Sequence, residues 1–196
     1  FSGMRAYWNE EKQRLFVFRP YDHFHRLLHS ARIMSMQIPY DEEGLIDLTV
    51  NLLRADNWQQ DVYLRPTIYK ADMGIGVRLH NLHDEFSMFV TAFDKYVAND
   101  TNAHVTISSW RRIDDNVIPA RGKVAGAYAN SALIKTDANR AGFDEALVLD
   151  NHGHISEGSA MNVFMVRNGV VVTPPVNDNI LEGITRRSVI ELLKKE

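Results

Sequence analysis

The chain has no cysteine, which excludes a disulfide framework, a thiol nucleophile and thiolate-ligated zinc. It has no long run of Lys or Arg and carries a net charge of −3. That leaves no basic face for a phosphodiester backbone, so nucleic acid is not a partner. No apolar run approaches the ~20 residues needed to cross a bilayer as a helix, so no membrane span is expected. Cysteine-free composition fits a reducing compartment, and the expected location is the cytoplasm. A methionine is missing from the first position: the sequence opens on Phe1, directly in strand-like residues, and so is expected to be cut from a longer chain at that end. What is present is ordinary for a globular protein. The 196 residues are 45% hydrophobic and 24% charged, enough to bury one large core or two small ones.

Taken in order, Phe1 to Trp8 alternates as a half-buried strand does, Asn9-Glu10-Glu11-Lys12 is a polar turn, and Leu15 to Phe18 returns as a second strand. Pro20 is expected to close that strand. Phe24, Leu27, Leu28, Ala31 and Met34 then recur at helical spacing, with Asp22 as the expected N-cap. A second helix is predicted from about Asp41 to Leu53. The β-branched and aromatic residues of 61–69 predict a strand, which the internal Pro66 assigns to a sheet edge or a bulge. Further strands are predicted at 86–93 and 105–110, with a polar connector at 96–103 between them. Beyond it come a helix at 125–141 stopped by Gly142, a strand at 145–150, a hairpin of 162–166 and 170–173 around Asn168-Gly169, and a closing helix at 185–195. This divides the chain into an N-terminal α/β domain of residues 1–102 and a second domain of residues 103–196.

Three stretches carry chemistry. Arg121-Gly122-Lys123-Val124-Ala125-Gly126-Ala127-Tyr128 sets one lysine among residues too small or too apolar to hydrate it, which favours the neutral amine that condenses with an aldehyde. The other lysines lie in turns or among charges. Ile155 to Phe164 contains Glu157, a carboxylate able to keep a pyridine nitrogen protonated, and Asn162, able to orient it. Either is equally at home as a plain turn or strand-start residue. Tyr128 reaches a ring hydroxyl only if Lys123 precedes the helix; on spacing alone a core tyrosine is as good a reading. Leu181-Glu182-Gly183-Ile184-Thr185-Arg186 leads into a helix whose free N–H groups would hold a phosphate, with Thr185 as a plain N-cap as the bland alternative. Arg26 is a possible second cation for that phosphate, with no privilege over Arg32 on sequence alone. Amine, carboxylate and phosphate cradle are together what pyridoxal phosphate asks of a protein. His23, His25 and His29 fall close together, but no further ligand follows at suitable spacing, so no metal site is assigned.

With these residues the chain resembles the class IV, or fold type IV, pyridoxal-phosphate aminotransferases, and most of all the branched-chain amino acid aminotransferases. The resemblance runs along nearly the whole sequence. Its signature is Glu157-x-Ser159-x-x-Asn162-Val163-Phe164, then Thr173, then Leu181-x-Gly183-Ile184-Thr185-Arg186. It implies a two-domain α/β (α+β) fold with the site in the crevice between the domains. Lys123 would be the Schiff-base lysine and proton-transfer base, Glu157 the partner of the pyridine nitrogen and Tyr128 that of the ring hydroxyl. Arg26, Leu181, Gly183, Ile184 and Thr185 would surround the phosphate, with Asn162 beside the cofactor.

On the substrate side, Phe1-Ser2-Gly3-Met4-Arg5 and Tyr63-Leu64-Arg65-Pro66 resemble the branched-chain enzymes' Phe-x-Gly-x-Arg and Tyr-x-Arg strands, and Tyr96 matches a pocket aromatic. The implied substrates are branched-chain L-amino acids and 2-oxo acids, with glutamate and 2-oxoglutarate carrying the amine, in a homodimer or larger homo-oligomer. Ser2 departs from the acidic residue common at its position. The family's earlier pocket segment and later glycine-threonine loop have no counterpart in these residues, so truncation at both ends is expected. The rival readings are another class IV activity (D-amino-acid or (R)-amine transamination, aminodeoxychorismate cleavage) and a non-catalytic remnant of the fold.

Overall fold

The computed structural model describes residues 1–93 and 101–195, in two compact units, Phe1–Asp94 and Lys95–Glu196. Both mix helix and sheet, so the fold is α/β.

In the first unit, β1 (Met4–Asn9) and β2 (Arg14–Val17) form the expected hairpin. The turn is fixed by Asn9, whose Oδ1 accepts the Lys12 N–H at 2.8 Å. Two expectations about the next element are corrected. Pro20 does not close a strand; it opens α1 (Pro20–Ile33), and the N-cap is Arg19 rather than Asp22. The reason is that a proline suits the first helical turn, where its missing N–H would be unpaired anyway. Asp22 instead accepts from Arg19 Nε at 2.6 Å. α2 (Glu42–Asp56) begins as read, with Asp41 Oδ1 accepting the Gly44 N–H at 2.9 Å. It runs past Leu53 until Asn57 turns left-handed at φ 51°.

β3 (Val62–Lys70) and β4 (Asp84–Ala92) complete an antiparallel sheet of order β2-β1-β3-β4. β3 is therefore interior, against the edge or bulge expected from Pro66. The proline is tolerated because the β1 ladder spans only Val62 to Leu64 of β3. Pro66 C=O accepts the Ser2 N–H at 3.0 Å. Since N and C=O of a strand residue point the same way, its missing N–H faces the side where β1 has run out. One sheet face, Met4, Ala6, Val62 and Leu64, packs on Phe24 and Leu27 of α1 and Leu45 of α2. Each large side chain here is at most 1% exposed and contributes about 2 kcal/mol, which suffices without a covalent staple. Alternation puts Arg5, Tyr7, Tyr63, Arg65 and Phe89 on the opposite face.

In the second unit, β5 (Val105–Arg111) pairs in parallel with β6 (Glu145–Leu149), and α3 (Tyr128–Arg140) lies between them in the chain as the crossover. The predicted helix at 125–141 divides in two: Ala125–Ala127 is a 3₁₀ turn, and the α-helix starts only at Tyr128. Gly142 at φ 83° ends it, letting the Phe143 N–H reach Ala138 C=O at 2.9 Å. Ile134 and Ala138 pack on Ala146 and Val148. A strand that the sequence reading missed, β7 (Ile155–Gly158), pairs antiparallel with β6, giving the order β5-β6-β7. β8 (Met165–Arg167) and β9 (Val170–Val172) form the Asn-Gly hairpin, with Asn168 and Gly169 both left-handed, at φ 52° and 76°. α4 (Ile184–Leu193) is capped by Gly183, not Thr185.

Candidate active site

The site in the second unit is built on β7. Pairing of Glu157 with Val148 of β6 buries its carboxyl to 5% side-chain exposure, where it needs partners. Arg112, just past the end of β5, supplies Nη2 at 2.8 Å from Oε1 and is itself buried. The Leu181 N–H and Asn162 Nδ2 both donate to Oε2 at 3.2 Å, and the same Nδ2 donates to Leu181 C=O at 2.8 Å. Burial pushes the Glu157 carboxyl above the ordinary carboxylate range, against the charge of Arg112, the Leu181 N–H and the charge of Lys123. A carboxyl of raised proton affinity suits sharing a proton with a nitrogen base.

Lys123 stands on the stretch before the 3₁₀ turn, where Val124 is extended at φ −93° and ψ 132°. A helical backbone would have turned positions 123 and 128 away from each other. Here the Lys123 Nζ donates to the Tyr128 hydroxyl and lies 5.0 Å from that ring's centre. The structure thus joins Lys123 to Tyr128, and Glu157 to Asn162, in the same unit. The residues leading into α4 meet the same groups, the Leu181 N–H reaching Glu157 and Gly183 lying against Asn162. Gly183 offers no side-chain cap, the first turn carries no acidic residue, and a Cβ on Gly183 would overlap Asn162 Oδ1. A Cβ there would displace that amide, and among the described residues no side chain caps the leading N–H groups, a setting that suits an anion. Leu181 is half-buried, Ile184 buried and Thr185 exposed.

Sequence reasoning missed Arg112, Asp115 and Asn179. Asp115 Oδ1 accepts the Ala120 N–H at 2.7 Å and Oδ2 pairs with Arg121, folding the loop that leads to Lys123. Nothing in Trp110-Arg111-Arg112 distinguishes the buried arginine from a solvated one; only the parallel β5–β6 pairing turns it inward.

In the first unit Phe1, Arg5, Tyr63 and Arg65 share the open sheet face. Arg65 Nε donates to the Tyr63 hydroxyl at 2.8 Å, and its guanidinium stands 4.6 Å from the Phe1 ring centre. The Arg5 guanidinium stands 5.4 Å from the Phe93 ring centre. Gly3 is required as well, since a Cβ there would overlap the Tyr63 hydroxyl. Tyr96 lies outside the described residues. Arg26 sits on α1 with Nη2 at 3.4 Å from Ser2 Oγ, which is also 3.0 Å from His23 Nδ1. His25 bonds Glu42 Oε1 at 2.8 Å instead, so the three helix histidines do not converge. Among the described residues, Asp150, His154 and Asp178 bring ligand-type atoms within 4.8 Å of one another. Asp150 Oδ1 there accepts the N–H groups of His152 and His154, both at 2.8 Å, which is turn capping.

Two buried carboxylates in this unit predict an acid response. Burial opposes the charge of Glu145, but hydrogen bonds from Ser159, the Ala146 N–H and Lys135 outweigh it and hold its pKa below the ordinary value. Burial likewise opposes that of Asp150, and the His154 and His152 N–H groups and ring charges outweigh it. Depressed carboxylates add stability that is present above the unfolded pKa, about 4, and lost as pH falls through the lower folded value. The urea midpoint should therefore drop between pH 6 and pH 3, and Glu145→Gln should shrink that drop. An equal drop in wild type and variant would contradict the assignment.

The family model for amino-transferase class IV matches residues 1–196. The chain belongs to the class IV aminotransferases. A probable branched-chain-amino-acid aminotransferase of Aquifex aeolicus is 45% identical over 196 residues, covering 100% of this chain and 63% of the relative. Of solved class IV structures, the branched-chain aminotransferase of Thermoproteus uzoniensis with norvaline superposes with a TM-score of 0.94 at 39% identity, covering 99% of this chain and 64% of that one. A "T.th." branched-chain amino acid aminotransferase complexed with N-(5'-phosphopyridoxyl)-L-glutamate gives 0.89 at 35% identity, covering 99% and 62%. The chain thus spans less than two thirds of the length of these class IV relatives.

Proposed function

We propose that the protein is a pyridoxal-phosphate-dependent aminotransferase that moves the amino group of branched-chain L-amino acids to and from 2-oxoglutarate. The carrying observation is that one unit holds both a tyrosine-bonded amine, Lys123, and a buried carboxyl, Glu157, fixed by Arg112, Asn162 and the Leu181 N–H. The relative complexed with phosphopyridoxyl-glutamate and the branched-chain names of the relatives support the cofactor and substrate.

The residues present fit the cofactor. Pyridoxal phosphate, when bound, supplies an aldehyde that joins to amines and a pyridinium that accepts the electrons of a broken Cα–H bond. Lys123 Nζ would hold the aldehyde carbon covalently and, once displaced by the substrate amine, take the α-proton as general base. The Tyr128 hydroxyl, already bonded to Nζ, would hold the ring oxygen beside it. Glu157 would keep the ring nitrogen protonated while Arg112 and the Leu181 N–H hold the carboxyl in place. Leu181, Gly183, Ile184 and Thr185 would surround the phosphate, with Asn162 steadying the turn and Arg26, by family resemblance, adding a cation.

Residues 1–102 would form the substrate-side domain and 103–196 the start of the cofactor domain. Phe1 and Tyr96 would offer aromatic walls, Tyr63 would assist the substrate α-carboxylate and Arg65 would serve the side-chain carboxylate of glutamate, with Arg5 on the neighbouring substrate strand. A homodimer or larger homo-oligomer in the cytoplasm completes the reading. The test is steady-state kinetics of the full natural protein with L-leucine, D-alanine and (R)-1-phenylethylamine, each with 2-oxoglutarate or pyruvate as acceptor. L-leucine should be preferred by at least about 100-fold in kcat/KM; preference for either other donor would overturn the branched-chain assignment.

A further inference from the structure

Asn179, in the loop between β9 and α4, holds a left-handed φ of 58°. That conformation sends its two acceptors to different parts of the site. The backbone C=O takes the Arg112 Nε–H at 3.3 Å, and the side-chain Oδ1 takes the Asp115 N–H at 3.1 Å. The first contact orients the guanidinium whose Nη2 meets Glu157 Oε1. The second anchors Asp115, whose carboxylate folds the loop ending on Lys123. The loop around Asn179 is itself pinned to β7, because Asp178 C=O accepts Ser156 Oγ at 2.6 Å and the Leu181 N–H donates to Glu157.

A residue needed only to turn the chain left-handed would be served by glycine. Asparagine adds an acceptor that reaches across 64 positions of sequence to the lysine loop. We propose that Asn179 is a positioning residue that holds the Lys123 loop in register with the Arg112–Glu157 pair, so that the amine and the carboxyl stay aligned across the cofactor. This rests on the function proposed above.

Asn179→Gly isolates the effect, since it keeps the left-handed backbone and the C=O bond to Arg112 and removes only Oδ1. Asn179→Asp keeps an acceptor in place and tolerates the same conformation, so it serves as rescue. The full natural protein is titrated with pyridoxal phosphate, and the pH dependence of the visible absorption band is recorded with the thermal midpoint. In the glycine variant cofactor binding should weaken about threefold to tenfold, the worth of one hydrogen bond. Its absorption midpoint should fall by about half a pH unit or more, because a loosened lysine loop feels less of the Glu157 charge. Aspartate should restore both. A glycine variant with binding and midpoint unchanged overturns the proposal, as does one that loses only thermal stability. A wild type that develops no visible band overturns the functional reading and this inference with it.

Discussion

Lys123→Ala should lose at least about 10³-fold in transamination rate, because on the proposed mechanism it would remove in one step the covalent hold on the cofactor and the base that takes the α-proton. The loss belongs to chemistry rather than folding. Lys123 is half-buried on a loop, outside both hydrophobic clusters, and its ammonium bonds the Tyr128 hydroxyl rather than filling a core. Its truncation should shift stability by no more than about 1 kcal/mol. Lys123→Arg should fail to the same degree, since a guanidinium stays protonated and does not add to an aldehyde. Three measurements decide it: activity, the visible absorption band, and the cofactor mass on the Lys123 peptide after borohydride reduction. If the alanine variant keeps activity within tenfold, or the label appears on another peptide, Lys123 is not the attachment point.

Glu157→Ala acts through both stability and rate. The Arg112 guanidinium, at 8% side-chain exposure, loses its 2.8 Å partner and is stranded without solvent. Breaking a buried pair from one side costs about 3–5 kcal/mol, visible as a large fall in urea midpoint. Because that fall would mask catalysis, the informative variant is Glu157→Gln. Its amide keeps the shape, and its single oxygen can face Arg112 or the Leu181 N–H, but it carries no charge to hold a proton on a ring nitrogen. Activity should fall about 10²–10³-fold, the usual scale for removing one electrostatic stabiliser, with a stability loss smaller than alanine's because the amide oxygen can still accept from the Arg112 guanidinium. The assignment fails if the glutamine variant stays within about threefold of wild type in kcat. Adding Arg112→Met to Glu157→Ala should recover much of the lost stability, since an unpaired charge rather than a cavity is the main cost.

The parts of the site visible in the sequence were those whose chemistry is local. Lys123 stood out because its neighbours could not hydrate it, and Asn168-Gly169 marked its hairpin because both residues accept left-handed backbone. The family signature supplied the roles proposed for Glu157, Asn162 and the Leu181–Thr185 turn, which spacing alone left balanced against ordinary turn and cap roles. What stayed hidden depends on distant partners. β7 escaped because Ser156 and Glu157 are polar, and it is a strand only through pairing with β6 and through the groups that satisfy its carboxyl. Arg112 and Asn179 carry no local mark, since their meaning arises from meeting each other across 67 residues. Pro66 misled for a related reason: a proline reports whether one side of its strand is unpaired, not whether the whole strand is at an edge. Pro20 misled because a strand end and a helix start ask the same thing of the backbone.

The contact between Gly183 and Asn162 leaves room for no carbon atom between the helix cap and the amide that steadies Glu157. The two positions therefore act as one unit. A larger residue at 183 displaces the amide, and with it the carboxyl's hold, so effects at 183 and 162 should be strongly non-additive. The proposed anion end of α4 and the acid on β7 are thereby coupled through one shared amide.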